Sequence, residues 1–328
     1  IPQLESILRR WKRERYLREF LGPGIAIFSI GLAKKCLLAD QFGQLADIAF
    51  DAAARGDELN FLEAWGGALA YCFQIYFDFS AYSDMAIGLG LFFGFRLPIN
   101  FAAPYRAASI IEFWRRWHMT LSRFLRDYVY IPLGGNRKGV SRRYVNMLTT
   151  MVLGGLWHGA AWTFILWGAL HGLFLAVNHL WRDMTGLRIP APIAVPMTFV
   201  AATFAWVPFR AVNLDAVLNF WAAMTGQNGV YIPSAYQPSL QALEGWLNMI
   251  GVEFGGVSHF LGVKQLAWLV MGMAIVWAAP VSHRVLDGDV FARISQSRVV
   301  PFAIGGLLTF SLVALLVRQE STFLYFQF

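Results

Sequence analysis

The amino-acid sequence predicts an all-α, polytopic membrane protein. Of its residues, 57% are hydrophobic and 14% are charged, against roughly 45–50% and 25% in soluble domains. A helix needs roughly 17–20 mainly apolar residues to cross a bilayer, and runs near or above this length recur along the chain. They lie at about residues 20–38, 61–95, 147–177, 193–209, 266–281 and 299–317.

The first run is placed by the charges on either side of it. Residues 9–18 contain six Lys or Arg, and such clusters mark the cytoplasmic side of a membrane protein. Residues 20–38 are therefore predicted to cross outward as a short or tilted span, with Lys34 and Lys35 snorkelling to the surface. The segment 40–58 is rich in Asp and Glu, which suits an external loop.

The second run, 61–95, returns inward and is longer than one span requires. The pattern favours a broken or tilted helix near Gly88–Gly90. Residues 96–143 form the densest basic stretch of the chain and are predicted to be cytoplasmic.

The third run, 147–177, has basic residues before and after it, so both of its ends are predicted to be cytoplasmic. It must then enter the membrane and return, as a pair of short helices or a re-entrant hairpin that turns near Gly154–Ala161. Irregular backbone at that depth is tolerated only within protein or beside a water-filled cavity. His158 lies at this turn and is expected to face a cavity.

The last three runs are predicted to cross outward, inward and outward, which leaves the carboxyl terminus outside. No Lys or Arg occurs from Ala211 to Val263, which favours an external position for this polar segment. Residues 214–224 within it are predicted to form an interfacial helix.

The chain begins with Ile1 rather than Met, and we expect an amino-terminal part of a longer protein to precede it. Residues 1–328 are interpreted as a single membrane-embedded domain. The formal net charge of +7 is attributed to cytoplasmic loops and not to nucleic-acid binding. The cysteines, Cys36 and Cys72, predict neither a disulfide framework nor a metal site.

His158 and His171 lie in a run that has no Lys, Arg, Asp or Glu between Tyr144 and Arg182. Ionisable groups inside a membrane are costly and are functional candidates by default. Burial keeps an imidazole neutral, and a neutral imidazole can act as general base toward a hydroxyl. A core histidine bound to a carbonyl is the competing interpretation of His158. For His171, a packing or supporting role is favoured, and the spacing of the pair does not suit zinc.

The segment 109–136 is predicted to be a basic amphipathic helix. Trp114, His118 and Ser122 follow an i, i+4, i+8 spacing and are expected to share its buried face. Its arginines suit a helix lying on anionic headgroups, and they would also suit a phosphorylated cytoplasmic donor.

The stretch YFDFSAYSD at 76–84 places Asp78 and Asp84 at membrane depth. A structural pair between Asp78 and an arginine is the favoured interpretation. An acyl thioester on either cysteine is chemically conceivable, but no neighbouring residue in the sequence activates a thiol.

The segments EFWRRWHMTLSRFLRDYVYIPLGGNRKG and GGLWHGAAWTFILWGALHG together closely resemble the membrane-bound O-acyltransferase (MBOAT) superfamily. The similarity extends to YFDFSAYSDMAIGLG, FAWVPFRA and the closing FLYFQF. Within the superfamily, the chain resembles the bacterial alginate O-acetyltransferase branch (AlgI-like).

This resemblance implies a helical bundle with re-entrant segments around a central tunnel, in the bacterial inner membrane. The donor would be cytoplasmic acetyl-CoA, with no bound cofactor or metal. The acceptor would be a cell-surface polysaccharide or a periplasmic acyltransferase. The family's essential histidine falls on His158, and His118 would assist it or polarise the thioester carbonyl. Donor-side candidates are Trp114, Arg115, Arg116, Ser122 and Trp157, and supporting candidates are His171 and Asp78.

Two other classes of function fit the same sequence. A multi-span protein with a polar, re-entrant centre is also typical of a transporter or polymer-export channel. A non-catalytic scaffold that recruits an external acyltransferase through residues 211–263 would tolerate changes at both His118 and His158.

Overall fold

The computed structural model describes residues 17–297, 299–317 and 323–324. Most of the basic stretch 9–18 and most of FLYFQF lie outside these residues. The helices, in chain order, are α1 (Glu19–Arg55), α2 (Phe61–Phe92), α3 (Ile110–Arg116), α4 (Met119–Leu125), α5 (Val140–His158), α6 (Trp162–Thr185), α7 (Ala191–Arg210), α8 (Leu214–Met224), α9 (Gln237–Leu240), α10 (Glu244–Met249), α11 (Val263–Ala278), α12 (Gly288–Ser295) and α13 (Val299–Val317).

Regular structure in the described part of the chain is almost entirely helical, which confirms the all-α prediction. The exception is a pair of short parallel strands, β1 (Val230–Pro233) and β2 (Val252–Gly255), inside the segment predicted as a polar loop. Helices α1, α6, α7 and α13 are long and apolar enough to cross a membrane. The protein is therefore a multi-pass membrane protein.

Helix α1 is continuous over 37 residues, so the predicted external loop at 40–58 is wrong as far as Arg55. Phe42, Leu45, Ala46 and Ala49 follow the i, i+3, i+4, i+7 spacing of an apolar helix face and are all buried. The acidic residues of this segment therefore occupy the other positions of an amphipathic helix.

The lysines of α1 do not snorkel, contrary to prediction. Lys34 Nζ lies 2.7 Å from Asp84 Oδ2, and Lys35 Nζ lies 2.7 Å from Asp78 Oδ1 and 2.9 Å from Asp40 Oδ1. The prediction that Asp78 pairs with an arginine is therefore wrong, because Lys35 of α1 is its partner. These contacts join α1 to α2 inside the bundle.

Helix α2 is also unbroken, over 32 residues, so of the two alternatives near Gly88–Gly90, a broken or a tilted helix, the broken one is wrong. A Cβ at Gly88 would lie 2.8 Å from the carbonyl oxygen of Gly24, so this glycine serves close packing against α1. At the other end, the side chain of Asn60 accepts from the backbone N–H groups of Leu62 and Glu63. The carboxylate of Glu63 in turn accepts from the backbone N–H of Asn60 and completes a capping box.

The single amphipathic helix predicted within 109–136 is wrong. Helix α3 ends at Arg116 and α4 begins at Met119, because His118 has a left-handed backbone with φ of 40°. The turn at His118 redirects the chain, so Trp114, His118 and Ser122 are not on one continuous helix face. The backbone N–H of Met119 instead donates to the carbonyl of Asn100 at 3.1 Å.

The predicted return of the run 147–177 is confirmed, with its turn at residues 159–161 between α5 and α6. These two helices have 19 and 24 residues and are not short. Glycines let their backbones approach, since a Cβ at Gly155 would lie 2.2 Å from Phe164 O and one at Gly168 would lie 2.3 Å from Met151 O. An ion pair between Arg143 and Asp183 joins the opposite ends, in agreement with the prediction that both ends lie on one side.

The remaining predicted helices agree closely with the structure. α7, α11 and α13 cover the runs 193–209, 266–281 and 299–317 to within about three residues at each end. Helix α8 spans 214–224 as predicted, and Asn213 caps its first turn. One face of α8 is buried in the core, where Phe220 stacks on Phe50 with ring centroids 4.5 Å apart.

Replacement of Gly168 by alanine tests the close packing of α5 on α6. The added methyl would overlap the Met151 carbonyl, and overpacking of this kind costs about 1–3 kcal/mol of unfolding free energy. We expect a lower melting temperature for Gly168→Ala in detergent, measured by size-exclusion chromatography after heating. Gly306→Ala is the matched control, because no atom lies within 4 Å of a Cβ at that position. Equal melting temperatures for the two variants would contradict the packing argument.

Candidate active site

Two histidines from separate segments meet at one small cavity of about 30 Å³. His118 comes from the left-handed turn between α3 and α4, and His158 is the last residue of α5. A water molecule needs roughly 10–15 Å³ of such a cavity, so this one accommodates small reacting groups and little else. The other lining residues are Ile75, Phe79, Trp114, Trp117, Leu121, Trp167, Trp206 and Phe209.

The side chain of Asn100 determines which nitrogen of His118 carries the proton. Asn100 Oδ1 accepts from the backbone N–H of Thr120 at 3.2 Å and from its hydroxyl at 2.6 Å. Because a backbone N–H can only donate, the amide oxygen and not the amide nitrogen must face this side. His118 Nδ1 lies 3.3 Å from the same oxygen and is therefore the protonated nitrogen. His118 Nε2 is then an acceptor, and it is buried without a protein partner among the described residues.

Burial keeps His118 neutral. It lowers the pKa of His118 to about 3, and the nearby His158 contributes in the same direction. The ring of His118 also meets that of Phe79 edge-on, with centroids 4.7 Å apart. His118 therefore presents an uncharged, unshared electron pair at neutral pH.

The ring of His158 is held by aromatic contacts. Its centroid lies 4.9 Å from Trp157, 5.3 Å from Trp167 and 4.9 Å from Phe209. The interpretation of His158 as a core histidine bonded to a carbonyl has no support, since no hydrogen bond of its imidazole occurs within the described residues. Gly159, which follows it, begins the turn into α6.

A second, larger cavity of about 630 Å³ lies on the basic side of the first. Trp114 lines both cavities and so forms the wall between them. Arg115, Arg123 and Arg126 line the larger one and are exposed there. The guanidinium groups and the histidines therefore line neighbouring cavities that share Trp114.

The structure separates the predicted donor-side residues into two groups. Trp114, Arg115 and Ser122 line the larger cavity, although the Ser122 hydroxyl donates to the carbonyl of Trp117 at 3.2 Å. Arg116 does not line it, because its guanidinium pairs with Glu112 one turn earlier. Trp157 is 52% exposed and lines neither cavity, although its ring meets that of His158 edge-on.

The two predicted supporting residues lie outside the small cavity. His171 is fully buried, with its ring stacked on Phe113 at 6.1 Å and edge-on to Trp114 at 5.1 Å. It therefore supports the Trp114 wall from behind. Asp78 belongs to the contacts between α1 and α2, and its second oxygen accepts from the backbone N–H of Leu324 at 3.0 Å.

Sequence reasoning missed Asn100, Trp167 and Trp206. Asn100 lies in the irregular segment before α3, where neither periodicity nor charge indicates a role. The two tryptophans belong to apolar runs in which an indole cannot be distinguished from core packing. Within the described residues, no group of three or more His, Cys, Asp or Glu side chains is placed to hold a metal ion.

The chain is similar in sequence to proteins named as bacterial O-acetyltransferases and O-acetylases. The chain is 49% identical over 322 residues to a peptidoglycan O-acetyltransferase of Helicobacter pylori. The aligned region is 97% of this chain and 59% of that protein. It is 37% identical over 334 residues to a probable alginate O-acetylase AlgI of Pseudomonas putida. Here the aligned region is 100% of this chain and 65% of that protein. The chain thus spans less than two thirds of the length of either relative.

A more distant similarity links the chain to a teichoic acid D-alanyltransferase of Streptococcus thermophilus. The two are 33% identical over 176 residues, which is 50% of this chain and 42% of that protein. The sequence profile of the membrane-bound O-acyltransferase family matches residues 1–209, a range that contains every site residue named above except the carboxyl-terminal contact of Asp78. The chain belongs to the membrane-bound O-acyltransferase family.

Proposed function

We propose that this protein transfers an acetyl group from cytoplasmic acetyl-CoA to an acceptor on the outer side of the bacterial inner membrane. The acceptor is a hydroxyl of a cell-surface polysaccharide or of a periplasmic acyltransferase that relays the group. The names of the relatives support this class of reaction, because they include O-acetyltransferases of peptidoglycan and of alginate. The observation that carries the proposal is the pair of histidines at a small cavity that shares the Trp114 wall with a basic cavity.

The larger cavity suits the donor. Coenzyme A carries several phosphates, and arginine binds phosphate through paired, charge-assisted hydrogen bonds. Arg115, Arg123 and Arg126 supply these donors at the mouth. Trp114 and the apolar residues of the same cavity would contact the uncharged arm that leads to the thioester.

The smaller cavity suits the transfer itself. The acceptor oxygen attacks the thioester carbon and its proton passes to the imidazole of His158, which has no competing hydrogen bond within the described residues. The carbon–sulfur bond breaks, and the coenzyme A thiolate takes the proton back from the imidazolium. The acetyl group is then bonded to the acceptor oxygen, and His158 is neutral again.

The hydrogen bonds of His118 favour one of its two expected roles. A histidine that polarises the thioester carbonyl must donate a hydrogen bond, but Nε2 carries no proton while Nδ1 faces Asn100. We therefore infer that His118 accepts a hydrogen bond, from the acceptor hydroxyl or from the His158 ring, and orients that group. This is the assisting role and not the polarising one.

The first test replaces His158. We expect His158→Ala to reduce acetyl transfer by roughly a hundredfold or more, since general-base catalysis contributes on that order. Inside-out vesicles containing the full-length protein and its external partner would receive labelled acetyl-CoA, and label on the lumenal acceptor would be measured. The matched control is His259→Gln, because His259 lies by Asp57 at the start of α2, away from both cavities.

Near-normal transfer by His158→Ala would remove the general-base role. If transport of a polymer continues while neither wild type nor variant transfers label, the export-channel interpretation is favoured instead. Transfer that needs the external partner but tolerates changes at both histidines would favour the scaffold. Protein abundance and detergent monodispersity, compared between variants, exclude loss of folding as the cause.

The second test concerns the proton on His118. In the wild type, His118 becomes charged only near pH 3, so its neutral form persists from pH 5 to pH 8 and its titration should not limit activity there. Asn100→Asp places a carboxylate beside Nδ1, which favours the imidazolium and raises the pKa. We expect this variant to lose activity as the pH falls through the raised pKa and to recover it at higher pH. Measurement of kcat/KM against pH would show the new acidic limb, and Asn100→Ala, which adds no charge, should lack it.

The third test separates binding from chemistry at the basic cavity. Arg123→Gln removes one guanidinium, and an exposed contact with phosphate contributes only about 0.2–1 kcal/mol after solvent screening. We therefore expect KM for acetyl-CoA to rise by roughly two- to fivefold, with kcat unchanged and with a weaker dependence on salt. Arg188→Gln, beyond the end of α6 and outside the cavity, should behave as wild type. A fall in kcat without a change in KM would contradict a donor-binding role.

A further inference from the structure

A third cavity, of about 500 Å³, lies between α1, α2 and the end of α11. It shares no lining residue with the two cavities of the candidate active site. Its size is within the range of small-molecule and lipid sites. Much of its wall is aliphatic, formed by Ile30, Leu38, Ile275, Val276, Val285 and Val290.

Three cationic side chains line this apolar cavity, namely Lys34, Arg106 and Arg284. Lys34 is neutralised by Asp84 at 2.7 Å and also donates to the hydroxyl of Ser282 at 3.1 Å. Arg106 has no carboxylate partner within the described residues; its guanidinium donates to the backbone carbonyls of Val276 and Ala279. Those carbonyls are partial charges and leave the full positive charge of Arg106 unbalanced.

Arg284 is exposed and forms no ion pair within the described residues. The nearest acid in sequence, Asp287, uses its Oδ1 to accept from the backbone N–H groups of Asp289 and Val290 at the start of α12. Two guanidinium charges therefore remain at a cavity whose walls are hydrocarbon. Guanidinium groups without a carboxylate partner beside an aliphatic surface suit one class of ligand, an anion that carries acyl chains.

The position of the cavity along the chain indicates which leaflet supplies that ligand. Arg106 belongs to the densest basic stretch of the sequence and Arg284 to the loop after α11, and both stretches are assigned to the cytoplasmic side by their charge. Basic pockets between membrane helices on that side bind anionic lipid headgroups. We propose that this cavity binds the phosphate of an anionic phospholipid of the cytoplasmic leaflet, with its acyl chains along the aliphatic wall.

A bound lipid would act on the active site through Tyr105. Arg106 ties the end of α11 to the turn at Pro104–Arg106, and the indole of Trp277 donates to the carbonyl of Tyr105 at 3.2 Å. The Tyr105 ring lies 6.1 Å from Trp117, which lines the cavity of the two histidines. Neutralising Arg106 from the lipid side would stabilise this connection.

The test measures lipid binding directly and does not depend on acyl transfer. Purified full-length protein would be exchanged into detergent containing phosphatidylglycerol or phosphatidylcholine of matched chains, and retained lipid would be counted by native mass spectrometry. We expect phosphatidylglycerol to be retained about fivefold more tightly, because one Lys or Arg near an anionic surface contributes about that factor. Arg284→Gln should remove most of this preference.

Arg293→Gln is the matched control, since Arg293 lies nine residues further along the chain, in α12, and is exposed but does not line the cavity. Equal retention of the two lipids by wild type would overturn the proposal, as would an undiminished preference in Arg284→Gln. Displacement of phosphatidylglycerol by acetyl-CoA at micromolar concentration would also overturn it and would assign the cavity to the donor. A failure of acetyl transfer with lipid retention intact would affect only the proposed enzymatic function.

Discussion

The contacts between the lysines of α1 and the aspartates of α2 are the constraint on which the rest of the site depends. Lys35 and Asp78 are 5% and 2% exposed, so water cannot take the place of either side chain in this pair. Removing one member of a buried pair typically costs about 3–5 kcal/mol, because the other charge remains buried. The pairs therefore fix the position of α2 relative to α1, both along its axis and in rotation.

That position matters because α2 carries the residues behind His118. Phe79, the neighbour of Asp78, meets the His118 ring edge-on, and Ser83 lies 3.5 Å from the amide nitrogen of Asn100. Asn100 in turn holds Thr120 and His118. The left-handed backbone of His118 costs on the order of 1–3 kcal/mol for a residue with a Cβ, and these hydrogen bonds offset that cost. A strained turn is thus maintained at the point where the chain must present an imidazole inward.

The sequence predicted the helices, the return between α5 and α6, and the position of His158 at a cavity, because each depends on a local signal. Apolar length predicts a span, and a histidine among apolar residues is conspicuous. The breaks were harder to place. The glycines at Gly88–Gly90 predict a broken or tilted helix, but Gly88 serves close packing against α1. The chain instead leaves the helical conformation at His118, where no glycine or proline indicates a break. The partners of Lys34 and Lys35 on α2 lie 50 and 43 residues away in the chain, and periodicity within one helix cannot reveal them.

Four buried polar atoms of residues that line the small cavity lack protein partners within the described residues, namely Trp114 Nε1, His118 Nε2, Trp167 Nε1 and Trp206 Nε1. Each such atom costs about 1–3 kcal/mol when it is left unpaired in the interior. Unpaired buried atoms also occur away from this cavity, for example on Tyr71 and Gln265. Those at the cavity belong to residues that line it, so they face the space where the acyl donor and acceptor are proposed to meet. A thioester and a hydroxyl would bring both acceptors and a donor to this cavity, and the binding of polar groups is most favourable where the protein has left its own hydrogen bonds unmade.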